Sequence, residues 1–141
     1  KDREEPNMLL PHGSIIALVD GTTCEIYRNA GSEAEPQLAL LDPPMIDSTN
    51  NSNVGHRSSS GNHADRQVHE DAHARAVAAW LNEQVLSGRI KNLAILAPPR
   101  TLGELRRHYH SRTRHVLRKE VAKELAGFPA EAIMAALHNG S

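Results

Sequence analysis

The clearest pattern in the sequence is a run of five apolar residues at 93–97, Leu-Ala-Ile-Leu-Ala, with no polar alternation. The run is too short to cross a membrane, and unbroken apolar character is typical of a strand that is buried on both faces. Pro98 and Pro99 follow and end the strand, because proline cannot extend its hydrogen-bond ladder.

A helix is predicted directly after the two prolines. Thr101 and Glu104 have the spacing of a capping box, and Leu102 and Leu105 begin an apolar stripe of helical period. A strand, a tight loop and a helix form half of a βαβ unit, which predicts a parallel sheet. The loop lies at the carboxyl end of a strand, where α/β sheets tend to bind ligands.

Three further strands are predicted in the first third of the chain, over residues 14–19, 23–28 and 37–41. Asp20 and Gly21 mark a hairpin turn between the first two. Because the connections are short, we expect an antiparallel meander.

A long helix is predicted over residues 66–87, with Asp65 as its N-cap and Gly88 at its end. His73, Val77, Trp80 and Leu81 fall on one side of this helix and should pack on the sheet. The pattern over residues 111–126 fits a helix or a strand, and Pro129 precedes a closing apolar helix over 130–138.

The 141 residues suit one domain. We assign residues 1–7 to an upstream extension or cloning remnant and residues 8–141 to the domain.

Cys24 is a single cysteine, which excludes an internal disulfide and favours a reducing compartment. No apolar run approaches the ~20 residues of a membrane span, and no signal peptide is visible. We therefore expect a cytoplasmic protein.

Charge is distributed unevenly, although the net charge is −1. Residues 1–47 hold nine acids and three bases, a net of −6, whereas residues 100–119 hold seven bases and one acid, a net of +6. This asymmetry favours an anionic partner for the second half, and an ordinary solvated helix face is the alternative. Only four aromatic residues occur, which argues against a sheet that stacks RNA bases.

Residues 69–73, His-Glu-Asp-Ala-His, match the zinc-binding pattern H-E-x-x-H on a predicted helix. His73 shares its face with Val77 and Leu81, however, and so should point toward the core. No spacing marks a third ligand, and we predict no metal site.

The long segment over residues 42–64 is rich in Pro, Ser, Asn, Gly and His, and a loop of this length is usually functional or disordered. Its glycine-rich part, residues 55–61, can nest an anion beside Arg57. It matches neither a phosphate-binding nor a dinucleotide-binding fingerprint. Ser58, Ser59 and Ser60 lack the strand and elbow of a serine hydrolase. No catalytic residue and no cofactor is predicted.

Four segments carry a resemblance to a known family: residues 9–13 (LLPHG), 55–60 (GHRSSS), 80–82 (WLN) and 97–106 (APPRTLGELR). From Met8 onward the chain resembles the bacterial host-attachment family, "protein required for attachment to host cells". That family is grouped with relatives of the class I release factors, whose middle domain is ribonuclease-H-like. The resemblance implies an α/β domain with a mixed five-stranded sheet flanked by helices, and a fifth strand near residues 115–121.

The resemblance also implies a role for the long loop, because the release-factor loop before the long helix carries Gly-Gly-Gln. Residues 55–59 occupy that position here but lack the glutamine, so peptidyl-tRNA hydrolysis is not expected. What remains is an RNA- or ribosome-facing loop with a basic flank, the predicted basic helix from Arg100 to Arg114. The candidate contact residues are Gly55, His56, Arg57, Ser58, Ser59, Ser60, Arg100, Arg106, Arg107, Arg112 and Arg114.

We therefore favour a non-catalytic intracellular binding module whose partner is RNA, the ribosome or another anion. One alternative is a metal-dependent hydrolase or nuclease of ribonuclease-H-like fold that uses Asp20 and Asp42 at strand ends. The other is a surface adhesion factor that works with host-cell attachment machinery.

Overall fold

A computed structural model describes residues 10–46 and 63–139. Strands and helices alternate after an initial group of three strands, as the sequence pattern predicts. The elements in chain order are β1 (Ile15–Val19), β2 (Cys24–Asn29), β3 (Leu38–Leu40), α1 (His63–Leu86), β4 (Leu93–Ala97), α2 (Pro99–Arg106), α3 (Ser111–Val116), β5 (Leu117–Ala122) and α4 (Ala130–Asn139).

The five strands form one mixed sheet in the order β3-β2-β1-β4-β5. β2 is antiparallel to both β1 and β3, whereas β4 is parallel to both β1 and β5. This confirms the predicted α/β domain with a mixed five-stranded sheet flanked by helices. It also confirms the predicted meander at the start of the chain.

Two apolar cores sandwich the sheet, and β4 contributes to both. Leu93, Ile95 and Ala97 face the core that α1 and α2 cover, whereas Ala94 and Leu96 face the core that α4 covers. All five side chains are at most 1% exposed. A strand buried on both sides has no polar face, which is why the run shows no alternation.

The start of α2 differs from the prediction. The helix begins at Pro99, and Pro98 occupies the N-cap position without a side-chain hydrogen bond. Thr101 is 8% exposed and lies inside the helix, so the predicted capping box of Thr101 and Glu104 is wrong. Proline at the first helical position has the φ angle of a helix and lacks the N–H that would need a cap.

The start of α1 also differs from the prediction, while its end agrees. The helix begins at His63, so Asp65 lies in the first turn and is not the N-cap. A carboxylate there still interacts favourably with the helix dipole. Gly88 follows the helix with a φ of 83°, and its N–H donates to the carbonyl of Val85. The predicted glycine stop is confirmed.

The segment over residues 111–126, whose pattern fits either a helix or a strand, contains both. α3 ends at Val116 and β5 begins at Leu117, without a connecting loop. The strand expected near residues 115–121 is confirmed, displaced by two residues at its start. The basic segment from Arg100 to Arg114 is not one helix, since residues 107–110 form a turn between α2 and α3.

The parallel strands define two ends of the sheet. Residues that follow β1, β4 and β5 lie at what we call the carboxyl end, and residues that precede them lie at the amino end. α1 is roughly 36 Å long and connects the two ends. Its Glu70 lies against Gly21 at the carboxyl end, and its Asn82 bonds to His108, which precedes β5 at the amino end.

Within residues 10–46 and 63–139, no helix is long and apolar enough to cross a membrane.

Candidate functional site

The structure does not bring the predicted contact residues together in one place. Gly55, His56, Arg57, Ser58, Ser59 and Ser60 lie outside the described residues. Arg100 lies in the first turn of α2, at the carboxyl end of the sheet. The other four arginines lie from the last residue of α2 to α3, toward the amino end: Arg106, Arg107, Arg112 and Arg114.

Of the six predicted arginines, the structure describes five, and two of these are paired with acids from other elements. The Arg100 guanidinium lies 3.3 Å from a carboxylate oxygen of Asp71 on α1. Arg106 donates from Nε and Nη2 to one oxygen of Glu120 on β5, at 3.0 and 2.8 Å. These two acids offset two of the six net positive charges that the sequence assigns to residues 100–119.

Tyr109 belongs to the turn between α2 and α3 and joins the Arg106–Glu120 pair. Its hydroxyl donates to the second oxygen of Glu120 at 3.3 Å, and its ring is 8% exposed. Burial raises the pKa of Tyr109, and the charge and hydrogen bond of Glu120 raise that pKa further. The phenol therefore stays protonated and anchors the turn to β5.

Arg107 and His108 share a single acid, Glu104, on the preceding turn of α2. The Arg107 guanidinium is 3.8 Å from the Glu104 carboxylate, and His108 Nε2 donates to it at 3.2 Å. The Arg107 side chain is 74% exposed, and exposed pairs of this kind contribute little. Arg107 is therefore available to a partner.

α3 has two arginines and no carboxylate of its own. Its six residues, SRTRHV, include Arg112, Arg114 and His115 and no carboxylate. Arg114 donates to the carbonyl of Arg106 at 2.9 Å and lies 5.8 Å from the centre of the Tyr109 ring. Among the described residues, the exposed Arg112 side chain has no acidic partner.

A basic depression lies beside α3 at the amino end of the sheet. It has a volume of about 520 Å³ and is lined by Lys91, Asn92, His115, Val116, Leu117 and Arg118. Arg118 Nε donates to Asn92 Oδ1 at 2.7 Å. This site is not apparent from the sequence, because Lys91 and Arg118 come from different segments. Only the charge count over residues 100–119 had included Arg118.

The carboxyl end of the sheet carries the acids that the hydrolase alternative requires. Asp20 Oδ1 accepts hydrogen bonds from the backbone N–H groups of Thr22 and Thr23, at 2.9 and 2.7 Å, and from the Thr23 hydroxyl at 2.9 Å. These bonds close the turn between β1 and β2, so this oxygen stabilises the hairpin. Asp42 is exposed.

The pKa of Asp20 reflects that turn. Burial acts to raise the pKa, but the hydrogen bonds from Thr22 and Thr23 and the nearby charge of His73 outweigh it. The net result is a lowered pKa, so the carboxylate stays ionised. Next to it on β2, burial raises the pKa of Cys24 to about 12, with further contributions from Glu25 and Asp20.

The H-E-x-x-H motif does not form a ligand pair. His73 Nε2 donates to the carbonyl of Thr23 at 3.0 Å and is therefore committed to the β1–β2 hairpin. His69 is exposed. In the part of the chain that the structure describes, no group of three or more His, Cys, Asp or Glu residues is arranged to hold a metal ion.

A family model described as "Protein required for attachment to host cells" matches residues 15–137. The chain belongs to this host-attachment family. The match begins at the first residue of β1 and ends within α4, so it covers the whole sheet. Among curated proteins, none matches the chain.

One family-like segment, residues 80–82, has a structural role in this host-attachment protein. Asn82 Nδ2 donates to the carbonyl of His108 at 2.9 Å, and Asn82 Oδ1 accepts from His110 N at 2.9 Å and from Thr113 Oγ1 at 2.7 Å. His110 Nδ1 in turn accepts from Arg112 N and caps α3. Asn82 thus fixes where α3 begins.

Residues 10–13, the described part of the segment over residues 9–13, are held by Asn29 at the end of β2. The Asn29 side chain is fully buried. Its Nδ2 donates to the carbonyls of Leu10 at 3.0 Å and Ser32 at 3.2 Å, and its Oδ1 accepts from Gly31 N and Gln37 N. Asn29 therefore joins the segment before β1 to the loop between β2 and β3.

Proposed function

We propose that this member of the host-attachment family is a binding protein that contacts the phosphate backbone of RNA. The contact surface is the exposed basic surface of Arg107, Arg112 and Arg114, which we call the α3 surface. The observation that supports it best is that α3 has two arginines and no acid, and that Arg112 has no acidic partner among the described residues. Uncompensated, exposed guanidinium groups are suited to phosphate oxygens.

The few aromatic residues favour contact with the backbone over contact with bases. The aromatic ring that contacts the α3 surface is Tyr109, and it is buried beneath Arg114. Base stacking needs an accessible ring, as in most single-strand RNA readers. We therefore propose recognition of a folded or double-helical RNA by its shape and phosphates, with little sequence preference.

We propose that this domain is related to the middle domain of the class I release factors. The topology of the sheet supports this relationship, since β2 is antiparallel to the other four strands, as expected for a ribonuclease-H-like sheet. Contact through residues 55–60 stays a prediction. α1, which follows that segment, starts toward the carboxyl end of the sheet, away from α3. The proposal accordingly depends on the α3 surface alone.

Fluorescence anisotropy with a labelled RNA duplex tests the proposal. Raising salt from about 50 to 200 mM should weaken binding steeply, because each neutralised phosphate releases counterions. The double variant Arg107→Glu, Arg112→Glu should bind at least about tenfold more weakly than the wild type. We leave Arg106 unchanged, because a glutamate there would break its two hydrogen bonds to Glu120. Arg107 has only an exposed contact of 3.8 Å with Glu104.

The matched control is Arg66→Glu, Lys123→Glu, which changes the net charge equally but lies toward the carboxyl end of the sheet. Both residues are exposed. The control should retain most of the affinity for RNA. Equal losses in the two double variants, or no loss in either, would reject the α3 surface as the RNA contact.

We propose host-cell attachment as a second candidate function, because the family description names it. The test is the location of the native protein: protease added to intact bacteria should digest a surface adhesin and should spare a protein inside the cell. Co-purification with ribosomes after lysis would favour the RNA proposal, and recovery with the envelope would favour attachment.

A further inference from the structure

We propose that the depression lined by Lys91, Asn92, His115 and Arg118 binds a single phosphate group. We call it the Arg118 depression. It lies at the amino end of the sheet, where the residues before β4 meet the junction of α3 and β5. Its lining includes three basic residues and no acid.

The position of Arg118 is set by an irregularity in β5. Leu117 pairs with Leu93 on β4, but Ala94 pairs with Lys119, so Arg118 is an extra residue between two paired positions. Such bulges turn a side chain away from the regular alternation of a strand and recur beside functional sites. The bulge accounts for how Arg118 reaches Asn92.

Asn92 orients the Arg118 guanidinium without neutralising it. The bond from Arg118 Nε to Asn92 Oδ1 is 2.7 Å long and uses one of five donor hydrogens. Among the residues that the structure describes, neither Nη atom of Arg118 has an acceptor. An arginine held by a neutral amide, with its two terminal nitrogens open, is prepared for a bidentate bond to phosphate.

Lys91 and His115 are the other two basic residues of the lining, and both are exposed. A lysine gives a mobile point charge that follows an anion, while the arginine gives fixed geometry. His115 lies one turn after Arg112 on α3, and residues three apart share a helix face. The Arg118 depression therefore continues the α3 surface.

The source of the phosphate rests on the proposed function: if α3 binds RNA, the Arg118 depression receives one phosphate of the same RNA. Free phosphate compounds share this chemistry. The binding site itself is tested first, with inorganic phosphate and no RNA.

The first experiment titrates ¹⁵N-labelled protein with inorganic phosphate, against sodium chloride at equal ionic strength, and follows the amide resonances. We expect saturable shifts at Asn92, Leu117 and Arg118 in phosphate alone. Arg118→Gln should weaken binding at least about tenfold. Lys123→Gln removes the same charge at the other end of β5 and should leave the titration unchanged.

Asn92→Ala separates a shaped site from a diffuse positive charge, because it leaves the net charge unaltered. The Asn92 carbonyl still accepts from Ile15 N in this variant, so β4 keeps its start. Phosphate affinity should fall about threefold or more, as Arg118 loses its fixed orientation. Shifts that do not saturate, shifts that chloride reproduces, or an unchanged titration for both Arg118→Gln and Asn92→Ala would overturn the proposal.

A second arm measures RNA binding by Arg118→Gln and Lys123→Gln. A larger loss for Arg118→Gln identifies RNA as the source of the phosphate, and equal losses identify a free phosphate compound; the phosphate titration supports the site in both cases. If the α3 surface fails its own RNA test while phosphate still binds, the proposed function is rejected and the Arg118 depression stands.

Discussion

The side-chain oxygen of Asn82 accepts a hydrogen bond of 2.7 Å from the hydroxyl of Thr113, which is fully buried. Asn82 belongs to α1 and Thr113 to α3, so this bond joins two helices through residues that are 31 positions apart in the chain. It fixes the surface on which Arg112 and Arg114 are displayed.

Removing Asn82 should destabilise the protein and loosen α3. Asn82→Ala leaves the buried Thr113 hydroxyl without an acceptor and releases the turn at His108, so we expect the free energy of unfolding to fall by about 2 kcal/mol. Urea unfolding measures the change. Glu83→Ala, an exposed change on the same helix, should stay within about 0.5 kcal/mol of the wild type. A similar value for both variants would show that Asn82 does not hold α3.

Glu120 should affect stability and RNA binding in opposite directions. Glu120→Gln weakens the bonds from Arg106 and Tyr109, so we expect a loss of about 1 kcal/mol in urea unfolding. The same change releases the charge of Arg106, which should strengthen RNA binding a few-fold at low salt. Glu124→Gln is the control, since it removes an equal charge at an exposed position. If Glu120→Gln weakened RNA binding while the control did not, the α3 surface would need another explanation.

Asp20 should stabilise the protein at neutral pH and lose that effect in acid. Its pKa is lowered below the ordinary value of 3.8 in the folded state, so the stabilisation is complete above about pH 4 and disappears as the pH falls through the folded pKa. Asp20→Asn keeps an acceptor but no charge and should cost about 1 kcal/mol at pH 7. Unfolding measured between pH 7 and 3 should show the difference narrowing only in acid, and a constant difference would contradict the assignment.

Cys24 should react slowly with thiol reagents while the protein is folded. With a pKa of about 12, only about one molecule in 10⁴ carries a thiolate at pH 8. A colorimetric disulfide reagent should therefore react at least about 100-fold more slowly in buffer than in denaturant. Comparable rates in the two conditions would mean that the thiol is neither buried nor perturbed.

Two glycines should respond differently to alanine. At Gly31 a methyl group would overlap the backbone carbonyl of Glu35 and approach Gln37 N, and backbone cannot easily move away. At Gly21 it would meet the Glu70 carboxyl group, the end of a flexible side chain. We expect Gly31→Ala to cost about 1–3 kcal/mol and Gly21→Ala less than about 0.5 kcal/mol. Thermal unfolding of the pair measures both values, and equal costs would contradict this account.

The sheet could be predicted because its signals are local. The apolar run from Leu93 to Ala97 predicts a strand that is buried on both sides, and the pair Asp20 and Gly21 predicts a turn. The predicted capping box is wrong for a local reason as well, since α2 begins at Pro99, two residues before Thr101. Helix starts depend on the competition among neighbouring residues, and a proline at the first helical position needs no cap.

The candidate site could be predicted only in part, because its chemistry depends on distant partners. Charge counting located the basic segment, but it could not show that Asp71 and Glu120 would pair with Arg100 and Arg106. Those acids come from α1 and β5, and only tertiary packing brings them close. The Arg118 depression could not be predicted for the same reason, since Lys91 precedes β4 whereas Arg118 belongs to β5.

α3 continues directly into β5, so no loop between them can absorb an insertion or a deletion. Each residue added to or removed from a helix rotates what precedes it by about 100°, so a single insertion between Arg112 and Arg118 would carry Arg112 around to another side of the molecule. The interval of six residues from Arg112 to Arg118 therefore determines where the two arginines lie relative to each other. Sequences that preserve it can share this arrangement of charge, and sequences that alter it must present their arginines differently, whatever their overall similarity.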